Sequence, residues 1–314
     1  MNGTGTKENP YIIMTVEDLY SMGNSGGSEI YFSLGADIDF NNTPYAENFV
    51  PIPINCKMFS GNGHVIRNVN YSIQESNASM FTVSGENIII DELKTENIRL
   101  CGKNVFLFGN SGKRCNLSLE HCVFVMNDMI ILSQAVASMT NKYCLIHDHN
   151  IKISADYCTI VAKLQSEKSY PVFSGDNVSH SQTKAEIYIN SSANTGNSYS
   201  AFLSESVISD SYFFLKINAP ETDNISSFDF SATNSKFNSS YLVCEPSEVI
   251  SAINWNGDVR STCFYDNTLM RKNNRNISVS SNASMVNIYA LTTEQCKNPV
   301  YLRSIGFNCA GAEE

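Results

Sequence analysis

Apolar and polar residues alternate in short runs along this chain, and Gly, Asn and Ser punctuate the runs. Residues 49–73, FVPIPINCKMFSGNGHVIRNVNYSI, show the pattern most fully. Gly61 and Gly63 permit positive φ and Asn62 tolerates it, which predicts a tight corner. Beyond the corner Val65, Val69, Tyr71 and Ile73 share one strand parity, and Ile66 breaks it beside Arg67. Upstream, Tyr11-Ile12-Ile13 predicts a strand. Thr15 with Asp18 predicts a capping box for a short helix carrying Leu19 and Met22, which Gly23 to Gly27 ends. Ile30, Phe32 and Leu34 then share one face of a further strand.

After Phe49 apolar clusters recur near Phe81, Phe108, Met139, Val161, Phe173, Phe202, Phe228 and Ile253. Phe202 to Phe228 is 26 residues and Phe228 to Ile253 is 25, a repeat-array spacing. Further strands follow within a unit, as in Ile88 to Leu93 then Asn97 to Leu100. Three short strands with polar corners make one coil of a parallel solenoid, which buries its inner residues only by stacking on neighbours. A pair of β-sandwiches would require frequent two-residue hairpin turns, whereas Asn-Gly occurs only at residues 2, 62 and 256. The expected fold is therefore all-β, a right-handed parallel β-helix with an N-terminal strand–helix cap. Its expected parts are an arm and cap over 1–48, coils over 49–290 and a closing segment over 291–314.

Composition agrees. Charged residues make up 17% of the 314, against a usual value of about 25%. The net charge of −10 and the lack of a basic stripe argue against nucleic-acid binding. No run approaches the ~18 apolar residues of a membrane span. Residues 1–10 have neither a basic nor an apolar leader region, so export is not expected. The ten cysteines, at 56, 101, 115, 122, 144, 158, 244, 263, 296 and 309, show no C-x-x-C or zinc spacing. They read as small buried hydrophobes in the reduced state.

The order GTKENPYIIMTVEDLYSM, SLGADIDF, FVPIP, FSGNGHVIRNV resembles the opening of GLUG-repeat right-handed parallel β-helices, found in bacterial surface proteins and phage virion proteins. Leu107-Phe108-Gly109 is similar to the repeat core, and later coils depart from it, as in Ala137-Ser138-Met139-Thr140. Leu291 to Gln295 and Tyr301 to Phe307 resemble the family's closing segment, and no wall-anchoring module is expected. The resemblance implies a scaffold and not a reaction. With export not expected, it points to a bacteriophage virion component assembled in the host cytoplasm. That component would be a capsid decoration or a tail or fibre appendage.

Candidate chemistry is sparse. His147-Asp148-His149 is the most site-like cluster for a metal, but no third ligand accompanies it and LIHDHNIKI alternates like an ordinary strand. Solenoids also carry polysaccharide lyases and hydrolases, which need clustered carboxylates. Those here are scattered at Asp91-Glu92, Asp128, Asp156, Asp210, Asp223, Asp229 and Asp258, of which Asp229 and Asp258 stand one coil apart. Asn68, Asn70 and Asn97, and Asn234, Asn238 and Asn256, read as structural Asn ladders near corners. Trp255, the single Trp, reads as a coil-packing residue. No catalytic residue, metal or cofactor is assigned, and the chain is expected not to be an enzyme. The alternatives are a bacterial cell-surface adhesin and a polysaccharide-degrading β-helix enzyme. Expected partners are other virion proteins of capsid or tail, a host surface glycan, and copies of the same chain, a trimer by analogy. Docking is expected through the polar arm ahead of Tyr11, since such arms order only when tied down.

Overall fold

Parallel pairing between successive coils, not hairpins, organises the strands. The computed structural model describes residues 1–110, 112, 114–132, 151–166, 178–191, 199–202, 207–209, 211–218, 225–230, 236–238, 241–245, 250–255, 258–259, 263–266, 277–279, 288–296 and 298–305, and after residue 191 mainly their backbone pairing. The chain opens with β1 (Tyr11–Ile13) and α1 (Val16–Ser25). The first coil holds β2 (Tyr31–Leu34), β3 (Ile38–Asp39) and β4 (Ile52–Ile54). The second holds β5 (Met58–Ser60), β6 (Val65–Ser72) and β7 (Ala78–Val83). The third holds β8 (Asn87–Asp91), β9 (Lys94–Gly102) and β10 (Val105–Asn110). Then come β11 (Cys115–Glu120) and β12 (Val123–Ile131), then β13 (Ile151–Asp156) and β14 (Thr159–Ser166). The sixth coil holds β15 (Val178–Ser181), β16 (Lys184–Ser191) and β17 (Tyr199–Phe202). The seventh holds β18 (Val207–Ser209), β19 (Tyr212–Asn218) and β20 (Ile225–Phe230). The eighth holds β21 (Lys236–Asn238), β22 (Tyr241–Glu245) and β23 (Ile250–Trp255). Last come β24 (Asp258–Val259), β25 (Cys263–Asp266), β26 (Ile277–Val279) and β27 (Ile288–Leu291). Two short helices, Thr293–Cys296 and Pro299–Ser304, follow.

The first strand of each coil joins one ten-stranded sheet, running from β1 through β2, β5, β8 and β11 to β24. The second strand joins another ten-stranded sheet, from β3 to β27. The third face is formed by β4, β7 and β10, and further along by β17, β20, β23 and β26. This is a parallel β-solenoid. Its register matches the spacing in the sequence: Phe202 pairs with Phe228 and Phe228 with Ile253. Phe81 likewise pairs with Phe108. Inward residues stack in columns, such as Ile88, Leu117, Ile153 and Val178, all buried. The solenoid also reaches further back than residue 49, because β2 and β3 already pair with β5 and β6.

The parity break at Ile66 has a local cause. Asn68 and Asn97 sit at φ of 63° and 52° and are passed over together in the β6–β9 register. One residue of the left-handed type shifts the alternation, so Ile66 and Val69 both point inward and are buried.

The open end of the solenoid is closed by the chain's own start. Thr15 caps α1 by accepting from the Asp18 amide, and Asp18 Oδ2 accepts from the Met14 amide at 3.0 Å. Val16, Leu19 and Met22 are buried beneath the helix. At its end the Gly27 amide donates to Asn55 O at 2.9 Å, and Gly23 packs against Pro53, so α1 lies along β4. Residues 1–9 are seated on the chain's own first elements. Asn2 bridges Ile12 in antiparallel fashion, the Tyr31 amide donates to Gly5 O, and the N-terminal ammonium lies 3.2 Å from Asp18 Oδ1. The polar arm is tied down, but onto β1 and α1, where it covers an edge that would otherwise expose unpaired backbone. Sequence does not show which backbone groups need a partner, so this seat for the arm was not legible in it.

Candidate functional site

The corner between the first and second strands is two residues long from the third coil to the sixth. The first corner residue is left-handed: Glu92, His121, Tyr157 and Gln182 have φ of 52°, 52°, 51° and 49°. The second turns inward: Leu93, Cys122, Cys158 and Thr183 are buried. Left-handed backbone suits Asn or Gly, so a Tyr there is an outlier for so bulky a side chain. The residues just before the corner are register partners, Asp91 with Glu120, Glu120 with Asp156, and Asp156 with Ser181. Carboxylates of three successive coils therefore line one column.

His121 joins two of these coils to a third. Its Nδ1 lies 3.0 Å from Asp91 Oδ1, and its ring stacks on Tyr157 with centroids 5.4 Å apart at 16°. The hydrogen bond to Asp91 holds the imidazole pKa above its usual value, against a smaller opposing effect of burial. Ser118 Oγ donates to Glu120 Oε1, while Asp156 Oδ1 is buried without a hydrogen-bond partner. Tyr157 is 49% exposed, so the corner presents an aromatic ring, an imidazole and several acceptor oxygens together. Asp91, Glu92 and Asp156 were visible in the sequence as scattered acids. Glu120 and His121 were not singled out, although the two-residue step from acid to corner in each coil would have found them.

The outer surface of the second sheet spends its polar groups between coils. Asn68 Nδ2 donates to Asp39 Oδ1, and Asn97 Nδ2 to Asn68 Oδ1, both at 2.7 Å. The hydrogen bond from Asn68, helped by Arg67, lowers the Asp39 pKa. Asn70 takes no part in this ladder, which sits at the kink in β6 and β9 rather than at a corner. Two further Asn pairs, Asn104 with Asn77 and Asn116 with Asn87, each bond at 2.9 Å. Asp128 is held by Arg99 at 3.1 Å and accepts from Gln165 Nε2 at 2.9 Å, which accounts for that acid structurally.

Asp229 and Asp258 are not neighbours. Asp229 lies in β20 opposite Asn254, whereas Asp258 lies in β24 opposite Lys236, on a different sheet. A one-coil spacing estimated from residue numbers had placed them together, and unequal turn lengths put them on different faces. Asn238 lies in β21 and Trp255 ends β23 opposite Phe230. His147, Asp148, His149, Asp210, Asp223, Asn234 and Asn256 lie outside the described residues. Among the described residues no three His, Cys, Asp or Glu side chains are grouped to hold a metal ion. No described helix is long and apolar enough to cross a membrane.

Cys56, Cys101, Cys115, Cys122 and Cys158 are free, and of these all but the half-buried Cys101 are buried. Burial pushes the Cys56 thiol up to about 12 and that of Cys115 up to about 11. Cys122 Sγ donates to Glu120 O at 3.2 Å and Cys158 Sγ to Asp156 O at 3.3 Å. Thr183 Oγ1 makes the equivalent bond to Ser181 O at 3.0 Å. The thiols thus fill a slot that asks for a small side chain able to donate to a corner carbonyl.

No family model matches the chain, and no curated protein matches it. Among solved structures it is similar to a candidate immunoglobulin A1 protease from Bacteroides ovatus. The identity is 13% with a TM-score of 0.42, over 97% of this chain and 90% of that one. At that level of similarity nothing about the activity of that protein transfers to this chain.

Proposed function

We propose that this chain is a non-enzymatic structural protein of a bacteriophage particle. It is a rigid solenoid of GLUG-repeat type that docks on capsid or tail and presents its outer faces to host surface glycans. The observation that carries the reading is the thiol-bearing interior. Cys56, Cys115, Cys122 and Cys158 are buried and free, and two of them make the corner hydrogen bond that Thr183 makes elsewhere. Such positions suit a chain that folds where thiols stay reduced, and this favours assembly inside a cell over export as an adhesin. The inter-coil ladders and the self-sealed first coil support a stiff display body.

The test is location. Particles purified from the source culture should contain the chain at a fixed ratio to the major capsid protein, and imaging should place its density on head or tail. Recovery in the cell-envelope fraction, with none in particles, would replace this reading by the adhesin.

One observation favours a polysaccharide-degrading enzyme instead, the column of Asp91, Glu120 and Asp156 beside His121. Glycoside hydrolysis needs two carboxyls flanking a bond, one of them kept protonated. Release of reducing ends from a polysaccharide, abolished by Glu120→Gln, would establish that reading.

A further inference from the structure

Cys122 and Cys158 occupy equivalent places in consecutive coils, each the inward residue of the corner between first and second strands. Their relation is fixed by register. Val123 is the partner of Thr159, and the Thr159 amide donates to Cys122 O at 2.8 Å. Neighbouring parallel strands lie about 4.7–4.9 Å apart, inside the window of about 4.4–6.8 Å that a disulfide requires between Cα atoms. Both side chains are buried, at 0% and 1% exposure, and each thiol donates to a corner carbonyl of its own coil. The same slot holds Leu93 one coil earlier and Thr183 one coil later, so this stretch of the column brings two sulfurs together only here.

We propose that Cys122 and Cys158 form a latent disulfide, reduced when the chain folds and closed afterwards by a small peroxide, stapling the fourth coil to the fifth. The proposal rests on the virion reading for its setting, passage from a reducing cell to an oxidising exterior, and not for its chemistry. In the first step one thiolate attacks a peroxide oxygen and the O–O bond breaks. The sulfur becomes a sulfenic acid and the other oxygen leaves as water after taking a proton. In the second step the neighbouring thiol attacks the sulfenic sulfur, the S–S bond forms and the S–O bond breaks, and a second water leaves with the remaining proton. Two thiols are oxidised and one peroxide is reduced to two waters. The buried setting admits hydrogen peroxide more readily than a bulky disulfide reagent. The staple would close a loop of some 36 residues, between positions 122 and 158, and so restrict the unfolded chain.

The experiment uses the full chain, folded and reduced, exposed to hydrogen peroxide and then alkylated after denaturation. The expected result is loss of the mass of two hydrogens, with Cys122 and Cys158 recovered as one linked peptide pair. The melting temperature should rise by roughly 5 °C, and a reductant should reverse the rise. Cys122→Ser and Cys158→Ser should each remove both effects. Each variant should still fold, because Thr183 shows that a hydroxyl serves at this position. Recovery of both residues as separate alkylated or over-oxidised peptides from folded protein would overturn the proposal. Particle location is measured independently, so failure of the disulfide and failure of the virion reading are told apart.

Discussion

Gly61 and Gly63 flank the same corner but are needed for different reasons. Gly63 has φ of 81° with open space where a Cβ would stand, so a side chain there meets only backbone strain. A Cβ on Gly61 would come within 2.2 Å of Glu92 O and 2.6 Å of Leu93 Cα, the backbone of the next coil. Gly63→Ala should therefore cost about 1–2 kcal/mol. Gly61→Ala should cost more, roughly 3 kcal/mol or above, because two coils must separate. Denaturant unfolding of the two variants measures the order, and equal costs would mean the coils are not in such close contact. His121 gives a pH dependence whose sign follows from its raised pKa. The Asp91 pairing stabilises the fold fully below the unfolded value of about 6.5 and is lost as pH rises through the higher folded value. The pair is exposed, so the effect is about 0.5 kcal/mol or less. Melting of His121→Gln against the parent should show a gap at pH 5.5 that closes by pH 8, and a gap that widens with pH would contradict the assignment.

At the scale of elements, the cap shows how an edge is closed from within. Deleting residues 1–9 removes the Asn2–Ile12 bridge, the Gly5 acceptor for Tyr31 and the ammonium partner of Asp18. The deletion should lower the melting temperature by several degrees and raise hydrogen exchange in β1, β2 and α1 before the later coils. An unchanged melting temperature would mean that these contacts do not hold the arm in place. The helix beneath it was legible because Thr15, Asp18, Leu19 and Met22 declare cap and apolar face in one stretch. The closing capping box, with Thr292 and Gln295 bonding each other's amides at 2.8 and 3.2 Å, was not singled out, although both residues lie in the stretch matched to the closing segment.

For the whole molecule, fold and site differ in how far sequence carries them. The column Phe202, Phe228, Ile253 was visible as a spacing because these apolar residues stand in register in successive coils. The candidate corner was only partly visible. Glu120 and His121 become neighbours of Asp91 and Tyr157 through register, and register depends on turn lengths that vary from coil to coil. The same dependence separated Asp229 from Asp258. Register also decides how damage spreads. Phe108 is fully buried, with its ring 5.3 Å from that of Phe81 in the coil before and 5.9 Å from that of Phe124 in the coil after. Phe108→Ala should cost about 3–5 kcal/mol, since no other side chain can fill a space bounded on both sides by aromatic rings. In a stacked array each coil gains stability chiefly from its neighbours, so the loss should be local at first. Hydrogen exchange should quicken in β7, β10 and β12 while α1 and β16 keep their protection. Uniform acceleration along the described strands would mean that the solenoid opens as one unit and that nearest-neighbour stacking is not what sets its stability.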